Sequence, residues 1–310
     1  MNDLKIPFKV QGFFRCVAID AETGIERELM PWTPNLITNI GLDYLGTGNL
    51  INYYCRVGTS NTAPAFTDTQ LGAQVAASNT IIANASGAAS SSPYYSYAQA
   101  TYQFGVGVAT GNLNELGIGW SDTGATLFSH ALTTNGSGVP TTITVLSTEI
   151  LQVSYEFRAY CPTVDVTGTL TVGGVSTAYT LRAAKTTAGG IQGVGALFKG
   201  CVYYASTNNP DYFITYSKDA ALGAVTGSPT STSQLSDITS QTTTAYTNGT
   251  YHLDSAYFLD LGNCNYAAGD GIGAFQFKNN LGYFQVLLNP FVPKTNINTF
   301  TISVRVAWSR

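Results

Sequence analysis

The two histidines are the residues from which acid–base catalysis would have to start. His130 lies in an apolar, strand-like segment with Ser129 beside it. Adjacent strand residues point to opposite faces, so Ser129 cannot use His130 as its base. His252 and Asp254 would share a strand face, but Ser255 would point away from both. We therefore expect no catalytic triad, and we interpret His252 and Asp254 as a surface or interface pair.

Paired carboxylates are the other arrangement that could support hydrolysis, here of a glycosidic bond. Four acidic residues cluster around one predicted hairpin turn: Asp20, Glu22, Glu26 and Glu28. A solvated hairpin turn uses charged and polar residues in any case. We interpret this group as a polar turn and not as a catalytic pair.

Motifs for cofactors and metal ions are missing from the sequence. The run Gly269-Asp270-Gly271-Ile272-Gly273 lacks the G-x-G-x-x-G spacing and precedes strand-like residues, so we interpret it as a turn that enters a strand. The cysteines are odd in number and widely separated, which argues against a zinc site and a dense disulfide framework. They are Cys16, Cys55, Cys161, Cys201 and Cys264. We predict buried, reduced cysteines, and no catalytic residue, cofactor or metal ion.

Composition points to a β protein of low charge. Charged residues make up 10% of the 310 residues, against about 25% in an average soluble domain. Thr, Ser, Asn, 32 Gly and 19 Tyr take their place, and such residues suit strands and tight turns. The net charge is −4 without a basic cluster, so no nucleic-acid partner is expected.

Targeting and membrane signals are also missing. No apolar run approaches the ~18 residues of a membrane-spanning helix, and membrane insertion is not expected. The first ten residues hold no apolar segment of ~7–15 residues. The sequence therefore predicts synthesis and retention in a cytoplasm, or exit by a route without a signal.

Period-2 patterns dominate the chain and predict an all-β fold. Two strand–turn–strand patterns predict hairpins, at residues 13–30 and 164–182. One helix is predicted at about Leu36–Leu45, capped by Asn35 and ended by Gly46. The low-complexity stretch 76–92 is predicted to be an extended or mobile excursion, and a Ser/Thr/Gly-rich stretch spans 223–250.

The two halves resemble each other at nearly constant offsets. Tyr102 corresponds to Tyr257, and Phe157 to Val306; Gly-Ile-Gly occurs at 117–119 and 271–273, and Ser-Asn and Thr-Asn pairs at 60–61 and 207–208. Such offsets suggest a degenerate duplication, although chance likeness between β-rich halves is the alternative. We predict two tandem antiparallel β-sandwich or barrel-like domains, 1–162 and 163–310, with the helix in the first.

The first half resembles structural proteins of tailed bacteriophages, of the tail, baseplate, collar or head-fibre type. An ordered series of short segments over about residues 10–160 carries this resemblance, together with the last twenty residues. The segments include Thr23–Gly24, Asn35–Asn39, Gly41–Asp43, Val57–Thr59, Asn61–Pro64, Asp68–Leu71, Asn114–Gly117, Leu127–Leu132, Pro140, Ile143–Val145, Glu149–Tyr155, Pro293–Thr295, Thr299–Ile302 and Trp308–Arg310. The phage proteins that the first half resembles tend to carry Arg at the position of His130. Any role that this arginine has in those proteins is therefore in doubt for this chain.

The resemblance implies a non-catalytic virion component, made in the host bacterial cytoplasm and assembled from many copies. Its expected partners are copies of itself, other virion proteins and, as an open question, a host-surface receptor. The second hypothesis is a receptor- or glycan-binding adhesin on the virion. The third is a secreted polysaccharide-degrading enzyme, which the Tyr-rich composition and the turn carboxylates leave open.

Overall fold

The structure is a computed structural model that describes residues 4–47, 54–172, 174–188, 213–236, 238–279 and 282–310. Over these residues the chain is all-β with one short helix, as predicted. The elements are β1 (Leu4–Asp20), β2 (Glu26–Ile37), α1 (Asn39–Gly46), β3 (Tyr54–Gly58), β4 (Gln74–Ser78), β5 (Ile81–Ala88), β6 (Tyr95–Phe104), β7 (Gly111–Leu113), β8 (Glu115–Gly119), β9 (Leu127–Leu132), β10 (Ile143–Val145), β11 (Glu149–Tyr160), β12 (Val166–Val172), β13 (Val175–Ala184), β14 (Phe213–Tyr216), β15 (Gln234–Leu235), β16 (Ser240–Thr243), β17 (His252–Leu259), β18 (Ile272–Asn279), β19 (Gly282–Val292) and β20 (Phe300–Ser309).

The described strands form three sheets. The largest has 12 strands, nine of which have the order β16-β17-β20-β1-β2-β9-β8-β3-β4. The other three form a branch at β1, in which β11 pairs with β1, β6 with β11 and β5 with β6. A 6-stranded sheet has the order β12-β13-β19-β18-β14-β15, and β7 pairs with β10. Alternating apolar side chains from the two large sheets meet in a shared core, in which Phe8 of β1 packs edge-on against Phe284 of β19.

Both predicted hairpins are present. β1 and β2 pair antiparallel around the turn that holds Gly24, and β12 pairs with β13. The stretch 76–92, predicted to be extended or mobile, is extended. β4 ends inside this stretch, and the whole of β5 lies inside it. Part of the stretch 223–250 forms the short strands β15 and β16.

The helix begins later than predicted. Asn35, Leu36 and Ile37 belong to β2, where Leu36 lies opposite His130 in β9. The N-cap is Thr38 and not Asn35, because the Thr38 hydroxyl accepts the backbone N–H of Gly41 at 3.0 Å. The error arose because the end of β2 is apolar and continues the helical pattern of the residues that follow.

Corresponding strand pairs recur in the two halves in the same chain order. The pairs of the first half are β1–β2, β2–β9, β8–β9, β3–β8, β3–β4, β5–β6 and β6–β11. In the same order, their counterparts in the second half are β12–β13, β13–β19, β18–β19, β14–β18, β14–β15, β16–β17 and β17–β20. In the last of these, Tyr102 lies opposite Val153, and Tyr257 lies opposite Ile302. The register therefore repeats, which supports the interpretation that the halves arose by duplication.

The first strand is hydrogen-bonded to both halves. Residues 9–20 of β1 pair antiparallel with β11, whereas Leu4–Lys9 pair in parallel with β20. Three of these N-terminal side chains, Leu4, Ile6 and Phe8, are buried. The division at residue 162 thus stays a prediction, and strands from both sides of it share one sheet.

The cysteines of the described residues lie in or beside the core. Cys16, Cys55 and Cys264 are buried, and Cys161 is partly buried; Cys201 lies outside the described residues. Burial raises the pKa of the Cys16 thiol to about 12 and also raises the pKa of Cys55. Thiols with such pKa values are poor nucleophiles at neutral pH.

Candidate functional site

A buried carboxylate lies at the centre of the first half. Glu115 begins β8, a strand that is paired on both sides, with β3 and with β9. Its side chain is fully buried and accepts backbone N–H groups of Ser60 at 3.3 Å, Gly72 at 2.9 Å and Ala73 at 2.7 Å. All three donors belong to the loop 59–73 between β3 and β4. Glu115 therefore holds both ends of that loop to the sheet.

His130 joins Glu115 to a second carboxylate. In the β8–β9 ladder His130 lies opposite Gly117, so its ring is diagonal to Glu115 on the same face. His130 Nε2 is 3.1 Å from Glu115 Oε2, and His130 Nδ1 is 2.8 Å from Asp68 Oδ2. Asp68 also accepts the backbone N–H of Ala65 at 2.7 Å. The cluster Asp68–His130–Glu115 thus pins the middle of the loop as well as its ends.

The electrostatics of this cluster favour an imidazolium between two carboxylates. Burial alone would lower the pKa of His130, but its hydrogen bonds to Glu115 and Asp68 outweigh burial and raise that pKa. Burial alone would raise the pKa of Glu115, but hydrogen bonds from His130 and from the three loop N–H groups outweigh it and lower that pKa. Each partner therefore stabilises the charged form of the other.

The geometry makes the cluster a clamp on the loop 59–73. Both ring nitrogens of His130 contact carboxylate oxygens, so neither faces a nucleophile or a substrate. Ser129 lies on the other face of β9, as predicted, where its hydroxyl accepts a 3.4 Å hydrogen bond from Asn35 Nδ2. The arrangement can hold the loop 59–73 in one conformation.

The helix is attached beside the same strand. Thr38 Oγ1 donates to the Leu127 carbonyl at 2.6 Å, and a side chain on Gly41 would place its Cβ only 2.1 Å from the Phe128 carbonyl oxygen. Gly41 therefore permits the close approach of α1 to β9. Asn39 N donates to the carbonyl of Phe66 at 2.8 Å, which ties the helix to the loop 59–73.

The exposed tip of this loop carries an aromatic ring. Phe66 is 51% exposed, and the Arg310 guanidinium carbon lies 3.8 Å above its ring centroid. Arg310 also donates to the Ile37 carbonyl and to Asn39 Oδ1. Phe66 and Arg310 line a cleft of about 400 Å³, together with residues of β1 and β2. The clamped loop thus borders a surface with both apolar and cationic groups.

A buried arginine organises the neighbouring turn. Arg56 in β3 is fully buried and donates to the carbonyls of Ser121, Thr123 and Gly124 at 3.0–3.1 Å. It also donates to Thr126 Oγ1. These acceptors are carbonyl and hydroxyl oxygens of the turn that joins β8 to β9, so the role of Arg56 there is to shape the backbone.

Within the part of the chain that the structure describes, the second histidine takes part in no charge relay. His252 and Asp254 share a face of β17, as predicted, but Asp254 accepts two 2.7 Å hydrogen bonds from Arg305 of β20. His252 Nδ1 lies 2.9 Å from the carbonyl of Thr250. Ser255 is buried on the opposite face, where its hydroxyl is 3.1 Å from that of Thr243.

The turn carboxylates are engaged in the first hairpin. Asp20 Oδ1 accepts the N–H groups of Glu22 and Thr23 and the Thr23 hydroxyl, which lowers the pKa of Asp20. Glu28 pairs with Arg15 at 2.7 Å, and Glu22 and Glu26 are exposed. These are the contacts of a polar turn.

The glycine-rich run at 269–273 is a turn that leads into β18, as predicted. Gly269 has a φ of +79°, and Asp270 Oδ1 accepts the N–H groups of Lys218 and Gly271. Gly273 already belongs to β18 and lies against the backbone of Ser217.

Sequence reasoning did not find Asp68 and Glu115 as partners of His130. Both lie in segments that carried the phage resemblance, namely Asp68–Leu71 and Asn114–Gly117. A polar residue inside an otherwise apolar strand was the available signal, because a buried charge requires partners. The sequence alone could not say that the partner of His130 is 62 residues away in a loop.

Two further clefts flank the segment Thr141–Thr142. One of about 580 Å³ lies between β2 and this segment and is lined in part by Arg27, Glu28 and Asn135. The other, of about 380 Å³, is lined in part by Asn61 and Asn114. Both offer amide and hydroxyl groups, which are the hydrogen-bonding groups that polar ligands use.

Comparisons with known proteins identify no relative. No protein-family model, no curated protein and no solved structure matches this chain. Over the residues that the structure describes, no helix has the length and apolar character needed to cross a bilayer. Over those same residues, no group of three or more His, Cys, Asp and Glu side chains could hold a metal ion.

Proposed function

We propose that this chain is a non-catalytic structural component of a tailed-phage virion that assembles in multiple copies through its β domains. One observation carries the proposal: three of the first-half segments that resemble such proteins are distant in sequence but meet at the cluster Asp68–His130–Glu115. Asp68–Leu71, Asn114–Gly117 and Leu127–Leu132 contribute the three members of the cluster. Three of the segments on which the resemblance rests therefore belong to one structural unit.

The chemistry of the candidate site supports the same function. Both nitrogens of His130 are used to fix a loop, and Asp254 is used to join two strands through Arg305. Groups that hold backbone in one conformation serve a protein whose surfaces must fit many identical neighbours. Tyr-rich strands with little charge also suit interfaces between subunits.

The test is detection of the chain in virus particles. Particles purified from a lysate that contains this chain are analysed by quantitative mass spectrometry, and its position is then mapped by antibody labelling in electron micrographs. We expect a fixed number of copies per particle, well above one. A chain that remains in the soluble fraction, or that co-purifies at a variable trace level, would contradict the proposal.

The two clefts beside Thr141–Thr142 support a second candidate function, that of a receptor- or glycan-binding adhesin on the virion. Their asparagine, threonine, arginine and glutamate groups could bond to sugar hydroxyls. A glycan array probed with the wild-type chain and with Asn135→Ala tests this. Binding that the variant loses supports an adhesin, and an array without signal argues for the structural role alone.

A further inference from the structure

β5 is the longest of the strands that lie at an edge of the described sheets. β5 has 8 residues, whereas the other terminal strands have 7 (β12), 5 (β4), 4 (β16), 3 (β7 and β10) and 2 (β15). Within the described residues, β5 pairs with β6 and with no other strand. Its far side therefore offers a row of N–H and C=O groups to a further strand.

β5 also lies beyond the core. Six consecutive residues, Ile81–Ser86, are exposed, including Ile81 at 38% and Ile82 at 45%. In the neighbouring strand β6, by contrast, Ala98 and Ala100 are buried. A strand exposed on both faces is held by a single ladder, so a second strand beside it would add hydrogen bonds and cover apolar surface.

The region has no electrostatic protection against another strand. Residues 69–114, which include β4, β5 and β6, contain no Asp, Glu, Lys, Arg or His. Exposed edges in soluble proteins usually carry lysine, proline or a bulge, or are very short. β5 has neither lysine nor proline, and its irregularity is confined to its first residues, between Ile81 and Ala83. An uncharged strand can therefore approach this edge without meeting like charges.

We infer that this occupant is β5 of a second copy of the chain, an inference that rests on the proposed multi-copy function. Two β5 strands related by a two-fold axis run antiparallel and continue the antiparallel β5–β6 ladder across the interface. No like charges face each other in such a pair, because both strands are neutral. Copies with a net charge of −4 repel each other overall, and at the neutral edge they can meet without like charges facing each other.

The test places like charges on this edge and uses the equivalent strand of the second half as a control. Asn84→Lys brings two lysines together near the two-fold axis, whereas Thr242→Lys alters an exposed residue of β16, the counterpart of β5. Sedimentation velocity over a range of concentrations should show self-association of the wild type. We expect Asn84→Lys to weaken that association at least about tenfold and Thr242→Lys to leave it unchanged, with unfolding midpoints alike.

Cysteine cross-linking gives an independent readout. In the variants Asn84→Cys and Ala85→Cys, mild oxidation should link two chains, whereas Thr242→Cys should stay unlinked. A wild type that associates although Asn84→Lys has no effect and neither cysteine links would overturn the β5 interface and leave multi-copy assembly standing. A wild type that is monomeric at every concentration would also overturn the β5 proposal, and particle analysis then decides the virion function separately.

Discussion

His130 Nε2 lies 3.1 Å from Glu115 Oε2, while the other nitrogen of the same ring lies 2.8 Å from Asp68 Oδ2. Carboxylate oxygens only accept hydrogen bonds, and a neutral imidazole has a single N–H. Both contacts can therefore be hydrogen bonds only when His130 carries two protons. At a pH below its raised pKa, a doubly protonated His130 holds the loop 59–73 between the carboxylates of Glu115 and Asp68, whereas an arginine would keep its charge at every physiological pH.

This relationship predicts a pH dependence of stability. The pKa of His130 is raised, so its contribution is complete below the ordinary value of 6.5 and is lost as the pH rises through the folded-state pKa. The pKa of Glu115 is lowered, so its contribution is present above 4.5 and is lost as the pH falls through the folded-state pKa. The contribution of the cluster is therefore greatest between pH 4.5 and 6.5.

The comparison of the wild type with His130→Gln isolates this contribution. Urea unfolding from pH 4.5 to well above 6.5 should show that the free-energy difference between the two proteins shrinks as the pH rises. A difference that stays constant over that range would mean that folding leaves the pKa of His130 unchanged, so that the two carboxylates do not stabilise its charged form.

Glu115→Ala should be among the most destabilising single substitutions in the first half. It leaves the N–H groups of Ser60, Gly72 and Ala73 without their acceptor and removes one of the two partners of His130. Breaking a buried ion pair costs about 3–5 kcal/mol. Glu115→Gln keeps an acceptor and should cost less. Equal losses for both variants, measured by urea unfolding, would contradict this, because they would show that the amide acceptor restores nothing and that the lost charge accounts for the whole effect.

Gly41→Ala should destabilise the protein although alanine favours helices. Helix propensity alone would stabilise the variant by about 1 kcal/mol. The new Cβ would lie 2.1 Å from the Phe128 carbonyl oxygen, and the shift of α1 that this forces costs about 1–3 kcal/mol or more. Gly136→Ala is the control, because its Cβ would meet nothing within 4 Å. A Gly41→Ala variant with a higher unfolding midpoint than the wild type would be inconsistent with this packing.

Phe8→Ala tests whether the first strand stabilises the second half. Phe8 is buried, faces Phe284 and lies opposite Trp308 in the parallel pair of β1 and β20. Its loss should cost about 3–5 kcal/mol, and Lys9→Ala, at an exposed site on the same strand, should cost little. Hydrogen exchange should show the loss of protection in β20 and β19. Protection lost only in strands of the first half would instead favour independent domains divided at residue 162.

The sequence by itself determined the all-β fold class of this protein and most of its local structure. Alternation of apolar and polar residues determines which face of a strand is buried, so β11, β20 and both hairpins were predictable from pattern alone. The same alternation placed Ser129 away from His130, and it placed His252 and Asp254 on one face. The nearly constant offsets between the halves anticipated the repeated register of Tyr102 and Tyr257.

Only the tertiary structure decided which residues meet. Local pattern does not encode pairings between distant segments, so the pairing of β1 with both β11 and β20 could not be read from residues 4–20. The start of α1 was misjudged for the same reason, because the ladder with β9 holds Leu36 and Ile37 in strand geometry. Asp68, His130 and Glu115 form one cluster because a loop folds back over two paired strands. A buried charge is stable only with partners, and the fold determines which residues those are.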